Sequence, residues 1–161
     1  MSRIKKILLV ILIIIITIQF IQPAGNKSVE VLPTDISRIY TVPGNVQAIL
    51  KRSCYDCHSN NTIYPWYSRI QPAGWWLASH IKRGKEELNF SEFGSYSSRR
   101  RRSKLFSIYK SVEDGTMPLP SYILMHTNSK LSKADRTVII NWASKTKDSV
   151  SLEIKNHETD Q

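Results

Sequence analysis

The pentapeptide Cys54-Tyr55-Asp56-Cys57-His58 holds both cysteines of a 161-residue chain. Three chemistries use such a pair, namely thiol–disulfide exchange, zinc coordination and covalent haem attachment, and each demands a different fold around it. A thiol oxidoreductase sets its C-x-x-C beside a βαβ pattern, yet no segment here alternates with period two for long enough to read as a strand. Zinc takes four ligands, so a C-x-x-C needs a matching second pair; the histidines stand at 58, 80, 126 and 157, at no such spacing. C-x-x-C-H is the attachment signature of a c-type haem. Cysteines at i and i+3 leave a turn on one side, so Cys54 and Cys57 can each add across one vinyl group of a single porphyrin edge. His58 then reaches the iron from one face of the ring. One covalent haem c per chain is the expectation, with a colourless binding module built on a Cys54–Cys57 disulfide as its rival.

The N-terminus agrees with that chemistry. Ile7 to Ile21 reads ILLVILIIIITIQFI and is preceded by Arg3, Lys5 and Lys6. A basic stretch and an apolar run fit an export signal, and the positive-inside rule keeps the three cations in the cytoplasm. Haem attachment of this type is made outside the cytoplasm. QFIQPAGNKS offers no clean small-x-small cleavage site and no cysteine for a lipid. The run therefore reads as a single-pass anchor in a bacterial inner membrane, with cleavage and release as the alternative, although its length is short against the ~20 residues of a straight span. The expected organisation is a signal or anchor at 1–22, a tether at 23–44, a haem domain at 45–148 and a fraying polar tail at 149–161.

Within the domain the patterns are helical. Val46, Ile49 and Leu50 form an i, i+3, i+4 stripe leading into the motif, with Gly44 or Asn45 as cap. After a loop rich in proline and aromatics, Pro72 opens a second helix with Trp76, Leu77, His80, Ile81, Gly84 and Leu88 on one face. A third spans Ser98 to Glu113 and stops at DGTMPLPS. The last begins at a capping box, Ser132 to Asp135, and shows Ala134, Val138, Ile139, Trp142 and Ala143 on one face.

The net charge of +10 is concentrated in RRRRSK, Arg99 to Arg102 with Lys104. An exported chain meets no nucleic acid, so the run reads as a solvated helix face or as a surface for anionic lipid or an acidic redox partner. For a sixth iron ligand, Met117 stands on a proline-stiffened loop where a thioether has no helical stripe to fill. His80 is the alternative distal ligand, or else a buried histidine in the pocket wall. Met125 and His126 rank behind both.

The strings SCYDCHSNNTIYPWYSRIQPAGWWLASHIKRGKEELNFSEF, GTMPLPSYILMH and LSKADRTVIINWA closely resemble the bacterial haem-binding domain family from about Ile21 to Ala143. The order of elements is similar to that of monohaem class I cytochromes c. The resemblance implies an all-α, cytochrome c-like domain whose first and last helices cross, setting Val46, Ile49 and Leu50 against Val138, Ile139 and Trp142. It implies thioethers at Cys54 and Cys57, proximal ligation by His58 and distal ligation by Met117. It also makes Trp66, Tyr67, Trp75 and Trp76 pocket aromatics. The expected function is single-electron transfer on the periplasmic side rather than catalysis. A haem-based sensor or peroxidase-like enzyme with an open sixth position is the alternative.

Overall fold

A helix with a basic first turn and an aliphatic body opens the chain. In the computed structural model, which describes residues 2–28 and 30–159, α1 (Arg3–Ile18) buries none of its residues. Met1 of the expected anchor, Val29 of the tether, and Asp160 and Gln161 of the tail lie outside the described residues. The 16 residues of α1 span about 24 Å. Among the described residues no helix is long and apolar enough to cross a membrane.

The stretch expected to be a slack tether is tied down. Gln71 donates its backbone N–H to Gln19 Oε1 at 2.9 Å and its side-chain amide to Gln22 Oε1 at 3.1 Å. Asn26 donates to Ser59 O at 2.8 Å and to Tyr64 Oη at 2.7 Å, and accepts from Thr62 N–H at 2.9 Å. Further on, α2 (Ile36–Ile39) is capped by Asp35 and buries Ile36 completely. The ordered part thus begins well before Asn45. Polar side chains bonding to loop backbone make these contacts, and such contacts leave no hydrophobic period.

The next helix, α3 (Gly44–Ser53), buries Val46, Ile49 and Leu50 as its stripe requires. Its cap position is Pro43, without a side-chain bond, rather than Gly44 or Asn45. Cys54 breaks the helix, and α4 (Tyr55–His58) forms the motif turn. Then α5 (Ala73–Glu87) buries Leu77 and Ile81 but turns Trp76 outward, and α6 (Ser98–Glu113) buries Leu105, Ile108 and Val112. After the short α7 (Pro120–Met125), α8 (Lys133–Thr159) starts at the predicted box: Asp135 N–H donates to Ser132 Oγ and Ser132 N–H to Asp135 Oδ2, each at 3.0 Å.

Ile139, Trp142 and Ala143 are buried along α8, whereas Ala134 is exposed. The helix does not fray after Val150. It runs to Thr159, with Val150 fully buried and Ile154 packed on the core, because these two continue the stripe of Ile139 and Ala143 at helical spacing.

Among the described residues the chain is all-helical, with no strand. One core unites α2, α3, α6 and α8 with Phe90 and Phe93 from the 3-10 turn Phe90–Ser95. As expected, α3 meets α8, yet the principal partner of α8 is α6.

Candidate functional site

The motif turn is closed by its own backbone. Cys57 and His58 donate their N–H groups to Cys54 O at 3.2 and 3.0 Å, so Cys54, Cys57 and His58 leave one tight turn. All three line a cavity of about 320 Å³, and an adjoining cavity of about 260 Å³ shares Cys54, His58 and Met117 with it. The two thiols are unbridged. Burial, then the neighbouring Cys57, pushes the Cys54 thiol up to about 12. Burial, then Asp56, pushes Cys57 up to about 11. A redox dithiol needs the reverse, a thiolate stabilised at neutral pH.

His58 is held by α5. Its Nδ1 lies 2.9 Å from Gly84 O and 3.0 Å from Leu88 O. Carbonyls only accept, so Nδ1 carries the proton and Nε2 is left with its lone pair, which is how metal-ligating histidines are oriented. Burial lowers the His58 pKa, with the two carbonyl bonds opposing, which favours the neutral ring. Gly84 makes this approach possible: a Cβ there would stand 2.6 Å from Cys57 O. Any larger residue would push α5 off the motif.

Across the cavity, α6 ends at Glu113 and the chain turns at Gly115, whose φ of 70° is the left-handed conformation that glycine favours. Thr116 and Met117 donate back to Ser111 O at 3.0 and 3.2 Å. Arg136 of α8 reaches Val112 O at 3.4 Å and packs over Gly115. The corner so fixed places Met117 and Pro118 on the walls of both cavities. His80 lines the larger one; its Nδ1 donates to Trp76 O at 2.9 Å and its ring packs 4.2 Å from that of Trp76. Met125 is 54% exposed, and His126 is stacked on Tyr122 at 4.1 Å.

None of the four expected pocket aromatics is on the wall of either cavity, although Tyr67, its hydroxyl pushed up by burial and then by Cys57 and Asp56, lies beside the motif. Trp66 is 76% exposed, Tyr67 packs edge-on to Trp66, Trp75 donates its indole N–H to Ile21 O at 2.8 Å, and Trp76 is turned out. The cavity walls carry Tyr122 and Phe90 instead. Tyr122 donates to Asp56 Oδ2 at 2.6 Å and so braces the motif turn from α7. Its only sequence signal was its place one turn beyond the Met117 loop. The arginine run is divided: Arg101 donates to Tyr96 O at 2.7 Å, Arg100 covers the Tyr96 ring at 4.6 Å, and Lys104 lines the smaller cavity and pairs with Glu87 at 3.5 Å.

This donor set suits a haem better than a bare ion. Among the described residues no group of three or more His, Cys, Asp or Glu side chains is placed to hold a metal ion. An imidazole with a free Nε2, two thiols from the same turn and a thioether face one largely apolar space. Ser53 Oγ, on the wall of both cavities, is buried without a hydrogen-bond partner among the described residues, as expected of a group awaiting a polar ligand atom.

Fold and site together define an all-helical haem-pocket protein. The sequence model of the haem-binding domain family matches residues 13–145, and the chain belongs to that family. No curated protein and no solved structure matches it.

Proposed function

We propose that the chain carries one covalent haem c in a cytochrome c-like setting and passes single electrons on the periplasmic side of a bacterial inner membrane. The observation that carries this reading is the fixing of His58 Nδ1 by Gly84 O and Leu88 O beside the two motif thiols. Bound haem supplies a one-electron iron couple. Cys54 and Cys57 would hold the group covalently, each through a thioether to a carbon of one of its two vinyl groups. His58 Nε2 and the thioether of Met117, both on the walls of both cavities, would be the two ligands that hold its iron. A carrier of this kind does no bond chemistry on a substrate. The exposed aliphatic run of α1 from Ile7 to Ile16 supports membrane attachment, and the net charge of +10 suits an acidic redox partner.

The test is expression with a c-type maturation system, followed by boiling in detergent and in-gel staining for haem peroxidase activity. Covalent haem is expected to stay with the chain and to raise its mass by one haem. A colourless product with two free or bridged thiols overturns the reading.

The second reading, a sensor or peroxidase-like enzyme with an open or displaceable sixth position, is favoured by His80 and Arg83, two polar side chains on the wall of the larger cavity. Cyanide separates the two. An oxidised low-spin protein inert to cyanide on mixing fits the carrier, and immediate cyanide binding fits the sensor or enzyme.

A further inference from the structure

The loop between the motif and α5, and the first turn of α5 itself, leave large apolar side chains in the open. Ile63 is 77% exposed, Trp66 76%, Ile70 48% and Trp76 46%, and Phe20, at the end of α1, is 83% exposed. Five large apolar side chains in the open on two short segments are more than scattered single exposures account for. These residues are tied to the C-terminal end of α1. Gln22 Nε2 donates to Arg69 O at 3.1 Å, Gln19 exchanges two hydrogen bonds with Gln71, and the Trp75 indole closes on Ile21 O.

From these ties we infer that the 63–76 segment, the loop with the first turn of α5, is a membrane seat: it rests in the lipid headgroup layer beside α1, so the haem domain lies on the bilayer. The inference rests on reading α1 as the membrane anchor. Length supplies the driving force. A helix of 16 residues spans about 24 Å against a hydrocarbon core of about 30 Å, so an inserted α1 draws whatever is stitched to its end down to the surface. The loop is built for that position. Tryptophan and aliphatic side chains flanked by cations, here the exposed Lys27 and Arg69, are what the interface favours. The glutamine side chains at the joint bond to one another and to loop carbonyls, which lowers the cost of leaving water.

The seat has a consequence for the iron. Trp75 and Gln71 stand at the start of α5, and the same helix supplies Gly84 O to His58. One rigid helix therefore connects the headgroup layer to the proximal imidazole.

Full-length holoprotein in phosphatidylcholine–phosphatidylglycerol liposomes tests this. A nitroxide is attached at Ile63→Cys, which leaves Trp66 intact, and separately at the exposed Asn141→Cys on α8; the unsubstituted chain sets the background. Collisions with oxygen and with a water-soluble nickel chelate are measured, and carbonate extraction is run on the same vesicles. The expected result is resistance to carbonate, with oxygen collisions exceeding chelate collisions severalfold at 63 and the reverse at 141. Adding Trp66→Ser is expected to move the ratio at 63 toward that at 141. Resistance to carbonate with equal ratios at both sites overturns the seat and leaves the anchor standing. Release by carbonate overturns the anchor and the seat with it.

Discussion

A missing methyl group sets the distance between α5 and the haem motif. Replacing Gly84 with alanine puts a Cβ against Cys57 O, where backbone cannot yield cheaply. A loss of about 1–3 kcal/mol is expected, the range for overpacked sites, together with reduced haem retention; thermal melts and the ratio of Soret to protein absorbance report both. Met117→Ala is expected to convert an oxidised low-spin spectrum to a high-spin one that binds cyanide, and an unchanged spectrum removes Met117 from the iron. At this scale the sequence was informative wherever the chemistry was local. Cys54, Cys57 and His58 are neighbours, so their convergence needs no knowledge of the fold. Trp66 and Trp76 were misplaced because residue type gives no direction: an aromatic that could line a pocket can equally face out. Ser53 adjoins Cys54 in the chain, but its burial on the cavity wall, like the reach of Tyr122 to Asp56, depends on how α3 and α7 pack.

Among the elements, α8 carries the clearest start signal and the most misleading end. Backbone and hydroxyl bonds from Ser132, and then Arg52 at 3.1 Å, hold the Asp135 carboxyl below its ordinary 3.8. A depressed carboxylate stabilises the fold fully above its unfolded value and loses that contribution as pH falls through the folded one. Asp135→Ala is therefore expected to cost about 1 kcal/mol at neutral pH. The difference from the parent closes on acidification, and urea melts across the acid range check it. The polar composition after Val150 concealed the continuation of the helix, since Val150 and Ile154 alone carry its apolar stripe there. A chain ending at Ser149 is expected to lose about 1.5–3 kcal/mol for Val150 alone, seen as a lowered midpoint in thermal melts. In the same way, the joint at Gln19, Gln22 and Asn26 was invisible to periodicity because hydrogen bonds, not hydrophobic contacts, make it.

For the molecule as a whole, the order of helices and their all-α class follow from the breaks at Gly115, Pro118 and Pro120 and from the stripes between them. The dominance of the α6–α8 pairing does not, because both helices are polar along much of their length and reveal a partner only once folded. Asn26 links the leading segment to the loop behind the haem motif through Ser59, Thr62 and Tyr64, and its side-chain oxygen accepts from Lys85 of α5 at 2.7 Å. It works as a rivet on the downstream side of any cut made before Ala24. A cut there would remove α1 and its glutamine joint while leaving the Asn26 contacts to the motif loop and to α5 in place.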